Sequence, residues 1–298
     1  MDESQLADEW KRIIAPRTDD VRTELVEDAA QFLGISAAEA WRRHDGAGER
    51  FRDEWTQTVA DPGNVAALTE FYNRSDAELF ELIEWHANDP IHYRTLVLRE
   101  LARGRPGRRY LDYGSGIGND AIVFGKAGFD VTLADISDCL LAFAAWRCRR
   151  RGLTVRAIDL KREALPPLAF DVVVCFDVLE HIPKPLDIVN KIRESLQRDG
   201  LIVIHAPFGA DLNHPMHVVH HDAVTPRMRS LGFAPIDCAF PSFIRAPRIY
   251  QKRDVPMIDR AGYFIYDNYL NNALGGALAA LYRHTVRRTA ARSDDCVV

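Results

Sequence analysis

The chain has 298 residues, 47% of them hydrophobic and 27% charged, with a formal net charge of -5. That length holds one generous α/β domain plus an appendage, or two small domains, and the composition calls for a sizeable buried core. The acidic balance argues against a nucleic-acid binder that works through bulk positive charge. Five scattered cysteines without a CxxC pair suggest neither a disulfide framework nor a thiolate zinc site. The polar start is unlike a signal peptide, and no apolar run approaches the roughly 20 residues of a membrane span. The expectation is a reduced, soluble, cytoplasmic protein.

Residues 1 to about 104 read as successive helices forming an N-terminal cap or arm. Leu25, Val26, Ala29, Phe32 and Leu33 follow helical spacing, and Gly34 supplies a stop. Ser36 with Glu39, and Ser75 with Glu78, have the spacing of capping boxes. Pro90 is placed to open a further helix that runs to Gly104. Beyond Arg108 the texture changes. β-rich runs at Tyr110–Tyr113, Val131–Ala134, Thr154–Ile158, Val172–Phe176 and Leu201–His205 alternate with helical segments, the mark of a parallel sheet with crossover helices. Two more runs, Phe233–Phe240 and Phe243–Gln251, meet at Pro241-Ser242 and predict an antiparallel hairpin at one edge. An α/β unit over 105–254 is thus followed by a helical C-terminal extension, 255–298.

Tyr110-Leu-Asp-Tyr-Gly-Ser-Gly-Ile-Gly118 closes the first strand and opens a helix. Glycines there permit a tight turn and close approach of backbone to a ligand, while the helix start offers free N–H donors. The second strand ends in Asp135, where this architecture places a carboxylate that accepts from ribose hydroxyls.

The segment Asp112-Tyr-Gly-Ser-Gly-Ile-Gly118 resembles the first motif of the class I S-adenosylmethionine-dependent methyltransferases, in particular the small-molecule, ubiquinone-methyltransferase-like type. Phe170-Asp-Val-Val-Val-Cys-Phe-Asp-Val-Leu-Glu-His181 resembles the fourth-strand motif, and Leu201-Ile-Val-Ile-His205 after Arg-Asp-Gly resembles the fifth strand. The resemblance implies a Rossmann-like, mostly parallel, seven-stranded α/β sheet with helices on both faces. It implies S-adenosylmethionine as cofactor, with Asp112, Gly114 and Gly116 at its methionine end and Asp135 and Ile136 at the ribose. Asp159 and Leu160 fall where the adenine is read, and Phe176 belongs to the same cofactor set.

Five of the ten histidines lie between His205 and His221, after the fifth strand. Ligands and catalytic groups collect at that edge of an open α/β sheet. Three roles fit. His214, His217 and His221 have spacings compatible with a metal ion such as iron or zinc. One histidine, His217 or His221 first, suits a general base that removes a proton from the attacking group. Alternatively the loop is shaped by its prolines and its histidines satisfy local hydrogen bonds.

His181, after Glu180, either reaches the site or holds its loop, and Asp177 either contacts substrate or caps a local turn. Tyr72, Trp85 and Tyr93 are candidate substrate contacts from the cap, against the commoner fate of aromatics as core. Arg147, Arg149, Arg150 and Arg151 near a helix end read as a solvated face without a ligand. The functional expectation is methyl transfer to a small molecule in specialised metabolism, with the N-terminal helices acting as a lid or as a dimerisation arm. Neither a nucleic-acid nor a membrane partner is expected. The rivals are a methyltransferase acting on protein or RNA, and a non-catalytic cofactor binder.

Overall fold

The computed structural model describes residues 2–18, 20–75, 77–88, 90–209, 214–218 and 224–254, with Arg260 and Gly262. His221 and nearly all of the expected C-terminal extension lie outside the described residues.

Seven helices precede the sheet: α1 (Glu3–Ile14), α2 (Val21–Leu33), α3 (Ala37–His44), α4 (Ala47–Thr58), α5 (Val65–Arg74), α6 (Glu78–Asn88) and α7 (Arg94–Arg103). Local chemistry sets their ends. Asp20 accepts from the Thr23 N–H to start α2, and Gly34, in the left-handed conformation, closes it. Ser36 accepts from the Glu39 N–H. The return half of that capping box is diverted, because the Glu39 carboxylate pairs with Arg42 and Arg43. Pro90 opens a short 3-10 turn, Pro90–Tyr93, which continues into α7.

Strands β1 (Arg109–Tyr113), β2 (Asp130–Asp135), β3 (Val155–Asp159), β4 (Phe170–Phe176), β5 (Leu196–His205), β6 (Phe233–Ile236) and β7 (Arg248–Lys252) form one sheet in the order β3-β2-β1-β4-β5-β7-β6. All pairings are parallel except those of β7 with β5 and β6. The expected edge hairpin is therefore present, with shorter strands. β6 ends at Ile236 and β7 begins only at Arg248. Pro241 and Pro247 fall between them, and a residue without an N–H cannot extend the ladder. β5 starts five residues earlier than its apolar run, since Leu196 already pairs with Phe170.

Helices α8 (Asn119–Lys126) and α9 (Asp138–Arg150) cover one face, and α10 (Pro185–Ser195) covers the other. The strands alternate between these two cores. Val172 and Val174 pack with Tyr110, Phe124 and Phe143, whereas Val173 and Cys175 pack with Leu111, Val189 and Ile192. The first core also contains Leu6, Trp10, Leu25 and Val26 from the cap, so cap and sheet share buried apolar surface.

One local expectation is corrected. Arg147 is 0% exposed, not part of a solvated face. Its guanidinium meets Asp28 at 3.2 Å and donates to the Ile117 carbonyl at 2.6 Å and to Asn119 Oδ1 at 2.7 Å. Arg151 joins it on Asp28 at 3.0 Å, and Arg17 approaches the other Asp28 oxygen at 2.6 Å. Helix α2 lies over the end of α9 and draws Arg147 and Arg151 into a buried network, while Arg149 and Arg150 stay exposed.

Candidate active site

The carboxyl ends of the parallel strands open into a cleft of about 1630 Å³, walled on its outer side by α5 and α6. At its centre is the turn after β1. Gly114 has φ +72, and a Cβ there would fall 2.3 Å from Val178 Cγ2, so both the conformation and the space select glycine. The Gly114 and Ser115 N–H groups donate back to the Ala134 carbonyl, which ties the turn to the end of β2. Asp112 is buried and accepts from the Ala121 N–H at 3.1 Å. Burial, reinforced by the nearby Asp120, pushes its pKa well up.

Asp135 accepts from the Gly116 N–H at 3.0 Å and from the Ser137 N–H at 2.9 Å. Its pKa is raised by burial, against the pull of those backbone donors. Ile136 and Leu160 line the cleft. Asp159 is not among the lining residues: its carboxylate accepts from the Lys161 N–H at 2.9 Å and pairs with Arg162 at 3.2 Å. Lys161 also spans to Asp138 at 2.8 Å and so braces the turn after β2.

A second group of side chains lies after β4. Asp177 is held at φ +55 and bridges Arg94 at 2.6 Å and His205 at 2.5 Å. Burial alone would raise its pKa, but the His205 hydrogen bond and the Arg94 charge draw it down to about 2. Arg94 is 2% exposed and lies 3.9 Å over the Phe176 ring. Its Nε and Nη1 have no hydrogen-bond partner. No sequence motif signals Arg94, because its partner Asp177 is 83 positions away.

Of the histidines after β5, His214 and His217 are described. They stack on each other at 5.4 Å, and His217 meets the His181 ring at 5.0 Å. Between them Met216 docks into an aromatic cluster of Phe51, Trp55 and Phe71 from the cap. The Val218 N–H donates to the Glu180 carbonyl at 2.9 Å. Tyr72 OH and the Met216 carbonyl approach His181 Nδ1 at 3.1 and 3.3 Å. Burial, with His217 adjacent, lowers the His181 pKa to about 4. Glu180 is fully buried, neither carboxyl oxygen has a hydrogen-bond partner among the described residues, and burial followed by the nearby Asp177 raises its pKa to about 9. Among the described residues, Glu180, His181 and His217 bring one ligand atom each to within 4.8 Å of one another. Thus His217 is joined by residues from the β4 turn rather than by sequence neighbours alone.

Tyr72 and Trp85 line the cleft from the cap. Tyr93 does not, and packs against Trp10 at 6.2 Å. The cap contributes two acids that local sequence reasoning missed as site residues, Glu78 and Glu81, both on the cleft wall. Burial, offset in part by His214, places the Glu81 pKa at about 7.

The strand order, the glycine turn and the carboxylate at the end of β2 define the class I methyltransferase architecture. The methyltransferase-domain family matches residues 85–242, more than half of the chain, and the chain belongs to it. The chain is 37% identical over 112 residues to a ubiquinone biosynthesis O-methyltransferase of Methylococcus capsulatus, covering 37% of this chain and 46% of that protein. A protein of the same description from Histophilus somni is 32% identical over 124 residues, covering 38% and 52% respectively. The chain therefore spans about half the length of these curated relatives. Among solved structures, the 1,6-didemethyltoxoflavin-N1-methyltransferase of Burkholderia thailandensis, with its substrate and S-adenosylhomocysteine bound, shares the fold. Its TM-score is 0.50 at 22% identity, over 66% of this chain and 92% of that one. No helix among the described residues is long and apolar enough to cross a membrane.

Proposed function

We propose that this chain transfers the methyl group of S-adenosylmethionine to a hydroxyl of a small molecule in biosynthetic metabolism. The observation that carries the reading is a set of buried polar atoms without partners that converge on the cleft around the glycine turn. Arg94 Nε and Nη1, Ser115 Oγ and Glu78 Oε2 are all of this kind. Buried polar atoms are nearly always paired, so their clustering here fits a polar ligand of the size of an adenosyl amino acid. The spare Nη1 of Arg94 suits an oxygen of its carboxylate, as a charge-assisted donor. Asp135 suits the ribose, and Ile136 with Leu160 the flat face of the base.

When bound, the sulfonium supplies an electrophilic methyl group with a good leaving group. The chain then has to orient the acceptor, exclude water and take its proton. His217 is the proton acceptor in this account, with His221 the sequence alternative outside the described residues. His181, held by Tyr72 and the Met216 carbonyl, positions it. Helices α5 and α6 close the outer side, and docking of Met216 on the aromatic cap fixes the histidine segment in place. An oxygen nucleophile is supported by the curated relatives, which are named as O-methyltransferases. A small acceptor is supported by the walled cleft and the acidic overall charge, which disfavours RNA.

A second reading concerns a cation. Glu180, His181 and His217 form a donor set of one carboxylate and two imidazoles, and both Glu180 oxygens lack partners. This chemistry fits a divalent transition metal, which would supply Lewis-acid polarisation of an acceptor oxygen.

Both readings are tested by incubating the chain with methyl-labelled S-adenosylmethionine and a metabolite extract, with and without a chelator. Label entering the small-molecule fraction is the expected result, and label entering only macromolecules overturns the small-molecule reading. Loss of transfer in the chelator arm, with recovery on adding a divalent metal, supports the cation. Transfer unaffected by chelation overturns it.

A further inference from the structure

Glu78 opens α6, in the cap, outside the segment that matches the methyltransferase-domain family. It is 8% exposed, yet it lines the cleft. It shares the cleft wall with Ser115, Gly116 and Asp135, and Asp135 Oδ1 accepts from the Ser137 N–H in the turn after β2. Glu78 Oε2 has no partner among the described residues. The cap is tethered to that turn, since Asn73 Oδ1, from the end of α5, accepts from the Asp138 N–H at 3.1 Å. Two carboxyl groups, one from the sheet and one from the cap, thus line the same cleft.

We propose that Glu78 is the second acidic group of the ribose subsite, so that the vicinal diol of an adenosyl ligand is held between Asp135 and Glu78. This rests on the cofactor reading above. A diol matches such a pair. One hydroxyl donates to Asp135, and the other accepts from the protonated carboxyl of Glu78 while remaining free to donate elsewhere. Burial, together with the charge of Asp135, raises the Glu78 pKa well above the usual carboxyl range, which supports the neutral, donating form. A purely structural role leaves the buried Oε2 unexplained, since a buried polar atom is nearly always hydrogen-bonded. The consequence is that the cap touches the cofactor directly, rather than merely covering it.

The test is calorimetric titration of the full chain with S-adenosylhomocysteine and with its 2′-deoxy and 3′-deoxy analogues. Glu78→Ala is expected to bind the parent ligand about tenfold more weakly than wild type, the effect of one lost hydrogen bond. Against one of the two deoxy analogues, wild type and Glu78→Ala are expected to bind equally, because the partner hydroxyl is already gone. Glu78→Gln, which keeps a donor, is expected to bind the parent within about threefold of wild type. Should the alanine variant fail to fold, Glu78→Asp withdraws the carboxyl by one methylene and carries the same comparison. An equal loss against all three ligands identifies a structural role and overturns the proposal. So does unchanged affinity for the parent. Failure of the wild type to bind the parent overturns the cofactor reading itself.

Discussion

Asp135→Ala lowers the affinity for S-adenosylhomocysteine by about a hundredfold or more, as measured by calorimetric titration against wild type. Asp135 is 7% exposed at the end of β2, and its two oxygens already accept from the Gly116 and Ser137 N–H groups. It therefore does two things at once: it fixes the glycine turn and presents its remaining lone pairs to the ribose. A hydrogen bond to a charged group contributes about 1.5–3 kcal/mol, and every 1.4 kcal/mol is tenfold in affinity. Losing the ribose contacts together with the order of the turn accounts for the size of the effect. A melting curve close to that of wild type separates this from unfolding. Unchanged affinity in a folded variant removes Asp135 from the site.

The largest effect on stability is expected for Asp28→Ala, about 3–5 kcal/mol in a denaturant titration. Asp28 is 0% exposed and meets three guanidinium groups, those of Arg17, Arg147 and Arg151. Burial alone would raise its pKa; the charges of Arg147, Arg151 and Arg17 hold it below the usual carboxylate value. Without Asp28 the fully buried Arg147 loses its acidic partner while Arg151 keeps Glu24 at 3.4 Å, and an uncompensated buried charge is what makes breaking such a pair costly. Arg147 also donates to the Ile117 carbonyl, so loosening it reaches the glycine turn. The double variant Asp28→Leu with Arg147→Met is expected to recover most of the loss, since removing both charges leaves none stranded. A single variant as stable as wild type contradicts this account of the network.

Both results bear on what the sequence makes readable. The glycine turn, Asp135 and the alternation of strands are local patterns, encoded within a few residues of one another, and they appear where the sequence puts them. Asp28 with Arg147 spans 119 positions, and Arg94 with Asp177 spans 83. No periodicity carries such pairs. The arginines at the end of α9 read as solvated because a helix end considered alone faces water; that holds for Arg149 and Arg150, and the packing of α2 reverses it for Arg147. Asp177 offered two local roles to the sequence, and tertiary structure instead gives it Arg94 and His205 as partners. The histidine segment shows the same division. Spacing grouped His214, His217 and His221, whereas the fold adds His181 and Glu180 to His217 through the turn after β4. Glu78 was legible as a helix-capping residue, and its Ser75 Oγ contact at 3.3 Å is present. Its place beside Asp135 in the cleft lining depends on how the cap lies over the sheet, which no local pattern states.

Methyl transfer from S-adenosylmethionine requires first that the cofactor binds in the cleft between the glycine turn and α6. Titration of the wild-type chain with S-adenosylhomocysteine tests this most directly. The account predicts one ligand per chain, and an affinity that collapses in Asp135→Ala. Absence of binding by the wild type, or binding that is indifferent to Asp135, contradicts it.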